Sequence, residues 1–179
     1  EMANLSTDHK IALRDELDGI GGDFDFMLID TAAGIAGNVM YFNMAAKEII
    51  VVITPEPTSL TDAYAMIKIL YQGHDEKRIM ILVNMAGSPK EAGEVFKRLG
   101  KATEHFLNLK VEYLGYVLSD EKVTEAVRRQ RPLVELYPNC RAGKCLFTIA
   151  EKICNELPVD YNFGSLKFFS RAIVDRDSG

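Results

Sequence analysis

Asp30, Thr31 and Gly34 are the residues whose types and spacing point first to chemistry. They follow the apolar run Met27-Leu28-Ile29 in the stretch Asp30-Thr31-Ala32-Ala33-Gly34. A carboxylate at the tip of a buried strand suits magnesium, held through water, because hard cations take oxygen ligands. Gly34, four residues on, lets a backbone N–H approach a γ-phosphate with no side chain in the way. An Asp at a strand end is also a common helix cap or turn residue. Asp30 alone does not separate the two readings; the D-T-x-x-G order favours the metal and phosphate reading.

Two further strand tips carry polar residues. One is Thr54-Pro55-Glu56-Pro57-Thr58-Ser59, where two prolines stiffen a loop that serves equally well as a contact or as a plain turn. The other is Asn84, whose amide offers both an acceptor and a donor to an adenine edge, although a turn-forming Asn is the simpler reading. A triphosphate site also needs G-x-x-x-x-G-K-[ST] after a strand. Gly143-Lys144-Cys145 is the one Gly-Lys pair worth testing, and it fails. Pro138 stands where the first Gly belongs, Cys145 replaces the magnesium-binding Ser or Thr, and no strand precedes it. Gly19, Gly21 and Gly22 fail as a dinucleotide loop because Phe24 occupies the third Gly position. His9, His74 and His105 fit no metal or triad spacing and read as exposed helical or loop residues. Cys140, Cys145 and Cys154 lack C-x-x-C spacing and a nearby His, which predicts free thiols rather than a metal centre.

The elements that must position these residues form an α/β fold. Phe24–Ile29, Ile49–Ile53, Ile79–Val83 and Tyr113–Leu118 are apolar runs, the middle two rich in Ile and Val, as strands buried on both faces read. About four parallel strands are therefore expected, with helices on both faces. Ala63, Met66, Ile67 and Leu70 share one helical face, with Ser59 and Asp62 resembling a capping box. Ser88-Pro89-Lys90-Glu91 is a second helix start, followed by the face Ala92, Val95, Phe96 and Leu99. Ser119 is the expected cap of a helix whose inner face holds Val123, Ala126 and Val127. Leu146, Ile149, Ala150, Ile153 and Leu157 line a last helix that Pro158 ends. In such sheets ligands bind outside the carboxyl ends of the strands. The reading is one domain over residues 1–157 and a separate tail over 158–179.

Composition sets the outer bounds. The chain has 179 residues, 47% of them hydrophobic, which suffices for a core. Its net charge of −5 argues against broad nucleic-acid binding, which needs Lys and Arg on phosphates. No apolar run approaches the roughly 18 residues of a membrane span, and no signal-peptide pattern is seen, so a cytoplasmic location is expected. The Glu-Met start resembles a cut or edited beginning.

Phe24-Asp25-Phe26-Met27-Leu28-Ile29-Asp30-Thr31-Ala32-Ala33-Gly34-Ile35 resembles the Walker B and switch II segment of the MinD/ParA-type deviant Walker ATPases. Ala45–Ile49 and the run Thr54-Pro55-Glu56-Pro57-Thr58-Ser59-Leu60-Thr61-Asp62-Ala63 look like the flagellar-number regulator branch, called FlhG or FleN. The resemblance covers about residues 3 to 157. It implies a partial P-loop NTPase fold of the SIMIBI type, ATP and Mg2+ as cofactors, and an ATP-driven dimer switch. It places Asp30 at magnesium as the catalytic acid, with Thr31 beside it, Gly34 at the γ-phosphate, Asn84 at adenine and Pro132, in Arg131-Pro132-Leu133, near the base. The helix from about Thr58 would face a dimer mate or a flagellar assembly or regulatory protein. The family's K-G-G-x-G-K-T loop is not found in this sequence, so the chain alone is not expected to bind or turn over ATP. Phe163, Leu166, Phe169 and Ile173 oppose Lys167 and Arg171 if the tail is helical. That pattern resembles the peripheral membrane helix of MinD-like proteins, over 163–174. The rival readings are a non-enzymatic interaction module built on the same fold and a partition ATPase.

Overall fold

The computed structural model describes residues 24–32, 34, 39, 42, 43, 46, 48–73 and 78–156. They fall into two compact units, one before residue 48 and one within Glu48–Leu157. The second unit runs β1 (Glu48–Ile53), α1 (Pro57–Gly73), β2 (Arg78–Ala86), α2 (Pro89–Leu107), β3 (Glu112–Leu118), α3 (Glu121–Arg128), α4 (Leu133–Leu136) and α5 (Arg141–Glu156). The strands form one parallel sheet in the order β1-β2-β3, with β1 as an edge strand.

β2 shows why these residues make strands. Ile79, Ile81 and Val83 alternate with Met80 and Leu82, so both faces are apolar. Ile81 and Val83 are fully buried, along with Ile53 of β1 and Ile67 of α1. Each such side chain is worth about 1.5–3 kcal/mol on leaving water. α1 and α2 pack beside each other against the sheet. On the α5 side, Met80, Leu114 and Val117 pack with Ala142 and Ile149. Helices thus cover both faces, as the alternation predicts. At the amino ends of the strands Arg78 holds Glu112 at 2.6 Å and lies 4.0 Å from Glu48, a half-buried link across all three strands.

The start of α2 matches the sequence closely. Ser88 Oγ accepts the Glu91 N–H at 3.2 Å, and Pro89 opens the helix. Glu91 reaches back to the Gly87 N–H at 2.6 Å, one residue beyond a standard capping box. Ala92, Val95 and Leu99 are buried, and Phe96 packs on the Tyr113 ring at a centroid distance of 4.8 Å.

Three of the expected strands form the described sheet; among the described residues Phe24–Ile29 pairs with none of them, and Leu28 is 80% exposed. Four expectations about the helices need correction. Ser59 is not a cap; Pro57 opens α1 upstream, and Ser59 Oγ instead accepts the Thr54 N–H at 2.9 Å. The cap of α3 is Asp120, because Ser119 continues the sheet by donating its N–H to Ala86 O at 2.8 Å. On α3 only Ala126 is buried; Val123 and Val127 face solvent, Val127 at 69% exposure. Ala150 on α5 is also exposed, and Leu157 lies outside the described residues.

Gly143 acquires a packing reason. A Cβ there would sit 2.8 Å from the carbonyl oxygens of both Tyr137 and Pro138. Its place before Lys144 is therefore dictated by the close passage of backbone into α5, which independently explains why Gly143-Lys144-Cys145 is no phosphate loop. Gly143→Ala should destabilise the protein by about 1–3 kcal/mol despite the better helix propensity of Ala. Urea unfolding measures this, and an unchanged or higher midpoint would show that the Tyr137–Pro138 turn moves aside.

Candidate functional site

The candidate residues divide between the two units, and each unit carries its own part. In the first, Asp30 is exposed, and among the described residues its carboxylate has no hydrogen-bond partner. Thr31 beside it is half-buried. Gly34 adopts φ +100°, a region that favours glycine, and nothing lies within 4 Å of where a Cβ would be. A carboxylate free of protein partners next to an open, left-handed glycine fits a hydrated cation and a phosphate oxygen. In a cap reading the carboxylate would instead be spent on helix N–H groups.

In the second unit the carboxyl ends of the strands carry Thr54, Asn84 and Asp120. Thr54 Oγ1 is buried and without a hydrogen-bond partner among the described residues. Asn84 is half-buried, and its Oδ1 accepts the Met85 N–H at 2.9 Å. Met85 itself adopts φ +57°, left-handed and uncommon for a residue with a side chain. The ladder explains the kink. Val83 pairs with Tyr116 and Ala86 with Leu118, so β2 spends one more residue than β3 over this step.

Asp120 is a structural hub. Its Oδ1 accepts the Lys122 N–H at 3.0 Å, capping α3, and its Oδ2 accepts the Ala142 N–H at 3.1 Å, capping the start of α5. These backbone donors, Lys122 first and then Ala142, hold its carboxyl below the ordinary range. The chain thus leaves the sheet at Asp120 and returns to it at Ala142. Between them, α3 ends with Gln130 in the left-handed region, φ +51°, and Arg131 donating to Ala126 O at 3.2 Å. That is a Schellman closure with Gln where Gly is usual, and it delivers Arg131 and Pro132. Pro132, φ −56° and ψ 135°, precedes α4.

Glu125 braces this excursion. It bonds Lys122 at 2.7 Å, Arg129 at 2.6 Å and the Tyr137 hydroxyl. The bonds from Lys122 and then Tyr137 lower its carboxyl from 4.5 to about 2. Sequence reasoning missed Asp120 and Met85. A second cap-forming residue beside Ser119 was a usable signal for the first; a left-handed Met has none.

Other candidates separate cleanly. His105 is exposed on α2. His9, His74, the 163–174 tail and the Gly19–Gly22 stretch lie outside the described residues. The cysteines 140, 145 and 154 are free thiols. Cys140 Sγ accepts the Gly143 N–H at 3.2 Å, which ties it to the α5 start.

A ParA family model, described as "NUBPL iron-transfer P-loop NTPase", matches residues 18–154. Antiactivator FleN of Pseudomonas aeruginosa is 38% identical over 174 residues, covering 97% of this chain and 62% of FleN. Flagellum site-determining protein YlxH of Helicobacter pylori is 31% identical over 141 residues, covering 78% of this chain and 47% of YlxH. Among solved structures, MinD of Aquifex aeolicus superposes with a TM-score of 0.65 at 21% identity, over 87% of this chain and 64% of that one. MinD of Pyrococcus horikoshii, complexed with Mg-ADP, gives 0.62 at 21% identity, over 86% and 62%. The chain therefore spans less than two thirds of each of these relatives, and the solved structures establish the fold.

The depressed Glu125 carboxyl gives a pH dependence with a definite sign. A lowered folded value means stabilisation that is complete above the ordinary 4.5 and is lost as pH falls through about 2. Thermal unfolding of Glu125→Gln should lose less stability than wild type across that window. Parallel curves for the two proteins would show that the Lys122, Arg129 and Tyr137 contacts do not form in solution.

Proposed function

The chain belongs to the ParA/MinD-type P-loop NTPase family, and on that premise we propose that the full protein is an ATPase that regulates flagellar number or placement through a nucleotide-dependent dimer switch. The similarity to FleN across 97% of the chain is the observation that carries this reading. YlxH, named for determining the flagellum site, supports the same assignment. The T-P-E-P-T-S-x-T-D-A run at the end of β1 and the start of α1 resembles that branch. α1 is the surface assigned to a dimer mate or flagellar partner. No helix among the described residues is long and apolar enough to cross a membrane. A cytoplasmic protein with a peripheral membrane contact through 163–174 fits this role.

In this reading Asp30 holds magnesium through water, Thr31 supports it and the Gly34 N–H meets the γ-phosphate. The exposed, unpartnered carboxylate and the open left-handed glycine support those roles. Bound magnesium would neutralise charge developing on the phosphate oxygens. Asn84 meets adenine and Pro132 borders the base. Asp30→Ala in the full-length protein should lower kcat by at least about 10²–10³-fold, the usual cost of losing one electrostatic stabiliser. Unchanged turnover would reduce Asp30 to a turn residue.

The amphipathic pattern of the tail supplies the membrane contact. Phe169→Asp should abolish co-sedimentation with anionic liposomes, and co-sedimentation equal to wild type would remove the membrane from this account.

A further inference from the structure

We propose that Met85 is a positioning residue: its left-handed backbone and its N–H bond to Asn84 fix which end of the Asn84 amide is the acceptor, and so set a preference for adenine over guanine. The inference rests on the reading of Asn84 as the base contact and deepens it.

An Asn amide is nearly symmetric in shape, so its oxygen and nitrogen exchange places by a flip about the last side-chain torsion. A free Asn at a strand tip would therefore offer either pattern to a purine. Asn84 is not free. Its Oδ1 takes the Met85 N–H at 2.9 Å, which only an acceptor can do, so the amide nitrogen is held in the other position. The oxygen keeps one lone pair, and the nitrogen keeps two donors. That pair of groups matches the N6 donor and N7 acceptor of adenine, the pairing Asn makes in two-bond recognition of that base. Guanine presents two acceptors, O6 and N7, along the same edge, and the fixed oxygen would meet O6 without a proton between them.

The backbone around Met85 is built to hold this bond. The extra residue of β2 falls between Val83 and Ala86, so the kink is confined to Asn84 and Met85. Beyond it the chain is fastened again. Ala86 is fully buried and accepts the Ser119 N–H at 2.8 Å, and the Gly87 N–H is taken by Glu91 at 2.6 Å. The Met85 side chain is exposed, so packing of its thioether does not account for the conformation. A left-handed residue with a side chain carries a conformational cost, and its placement at the tip beside the candidate base contact gives that cost a purpose.

The test is competition of ATP and GTP against a fluorescent ATP analogue, with magnesium, on the full-length protein. Thermal unfolding of each variant runs in parallel. Wild type should prefer ATP by about tenfold or more, and Asn84→Ala should bring the ratio near unity. Met85→Val, whose branched side chain opposes the left-handed region, should lose most of the preference. Met85→Gly, at home in that region, should keep it although it also lacks the thioether. Replacing the Met85 N–H by an ester oxygen removes the donor alone; it should lose the preference and decides the matter if Met85→Val does not fold. A wild-type ratio in the ester variant, with the ratio lost in Asn84→Ala, overturns the role of Met85 and leaves Asn84 as the base contact. A wild-type ratio in Asn84→Ala overturns the base contact itself, and a wild type that binds both nucleotides equally overturns the proposal.

Discussion

The structure depends on β2 being hydrogen-bonded on both edges and covered on both faces. Ile79, Ile81 and Val83 point to one face, Met80 and Leu82 to the other, and the parallel registers to β1 and β3 satisfy its backbone. Burial of that strand is tolerable because its backbone N–H and C=O groups find partners in the ladders on either side. The loops that matter for function hang from the carboxyl end of this frame. Phe24–Ile29 has comparable composition but no ladder among the described residues, and Phe24 to Leu28 are exposed. Apolar sequence supplies the incentive to be a strand; a neighbouring strand makes it one.

Two aspartates at chain ends of apolar runs show how similar sequence contexts lead to different uses. Asp120 spends both carboxylate oxygens on the N–H groups that open α3 and α5. Asp30 spends neither among the described residues. A carboxylate engaged in two caps has no lone pairs well placed for a cation, whereas one held out to solvent keeps them. The cap reading of such an Asp is thus realised at Asp120, and the proposed function takes Asp30 as the ligand site.

Much of the frame was legible in the residues, for reasons that are local. Val- and Ile-rich runs of five or six residues identify buried parallel strands, and Ser88 before Pro89 identifies a helix start, because each rests on neighbours within a turn. What was not legible depends on partners distant in sequence. Asp120 caps α5 across 22 residues, Gly143 is demanded by the carbonyls of Tyr137 and Pro138, and Val127 stays exposed because no described residue covers its side of α3. At the candidate site, Asp30 and Gly34 were legible from spacing. The left-handed Met85 was not, since Met carries no preference for that region.

Among the described residues β1 pairs on one side only, and its sequence carries a safeguard against self-association. Five of its six residues are Ile or Val, a composition that pairs readily with copies of itself when a sheet edge is open. Glu48 begins the strand with a charge, and Pro55 and Pro57 follow it within four residues. Proline cannot extend a ladder, and a charge opposes stacking, so the run is bracketed by residues that resist fibril-like association. The two prolines that stiffen the loop at the ligand edge therefore also act as gatekeepers against aggregation.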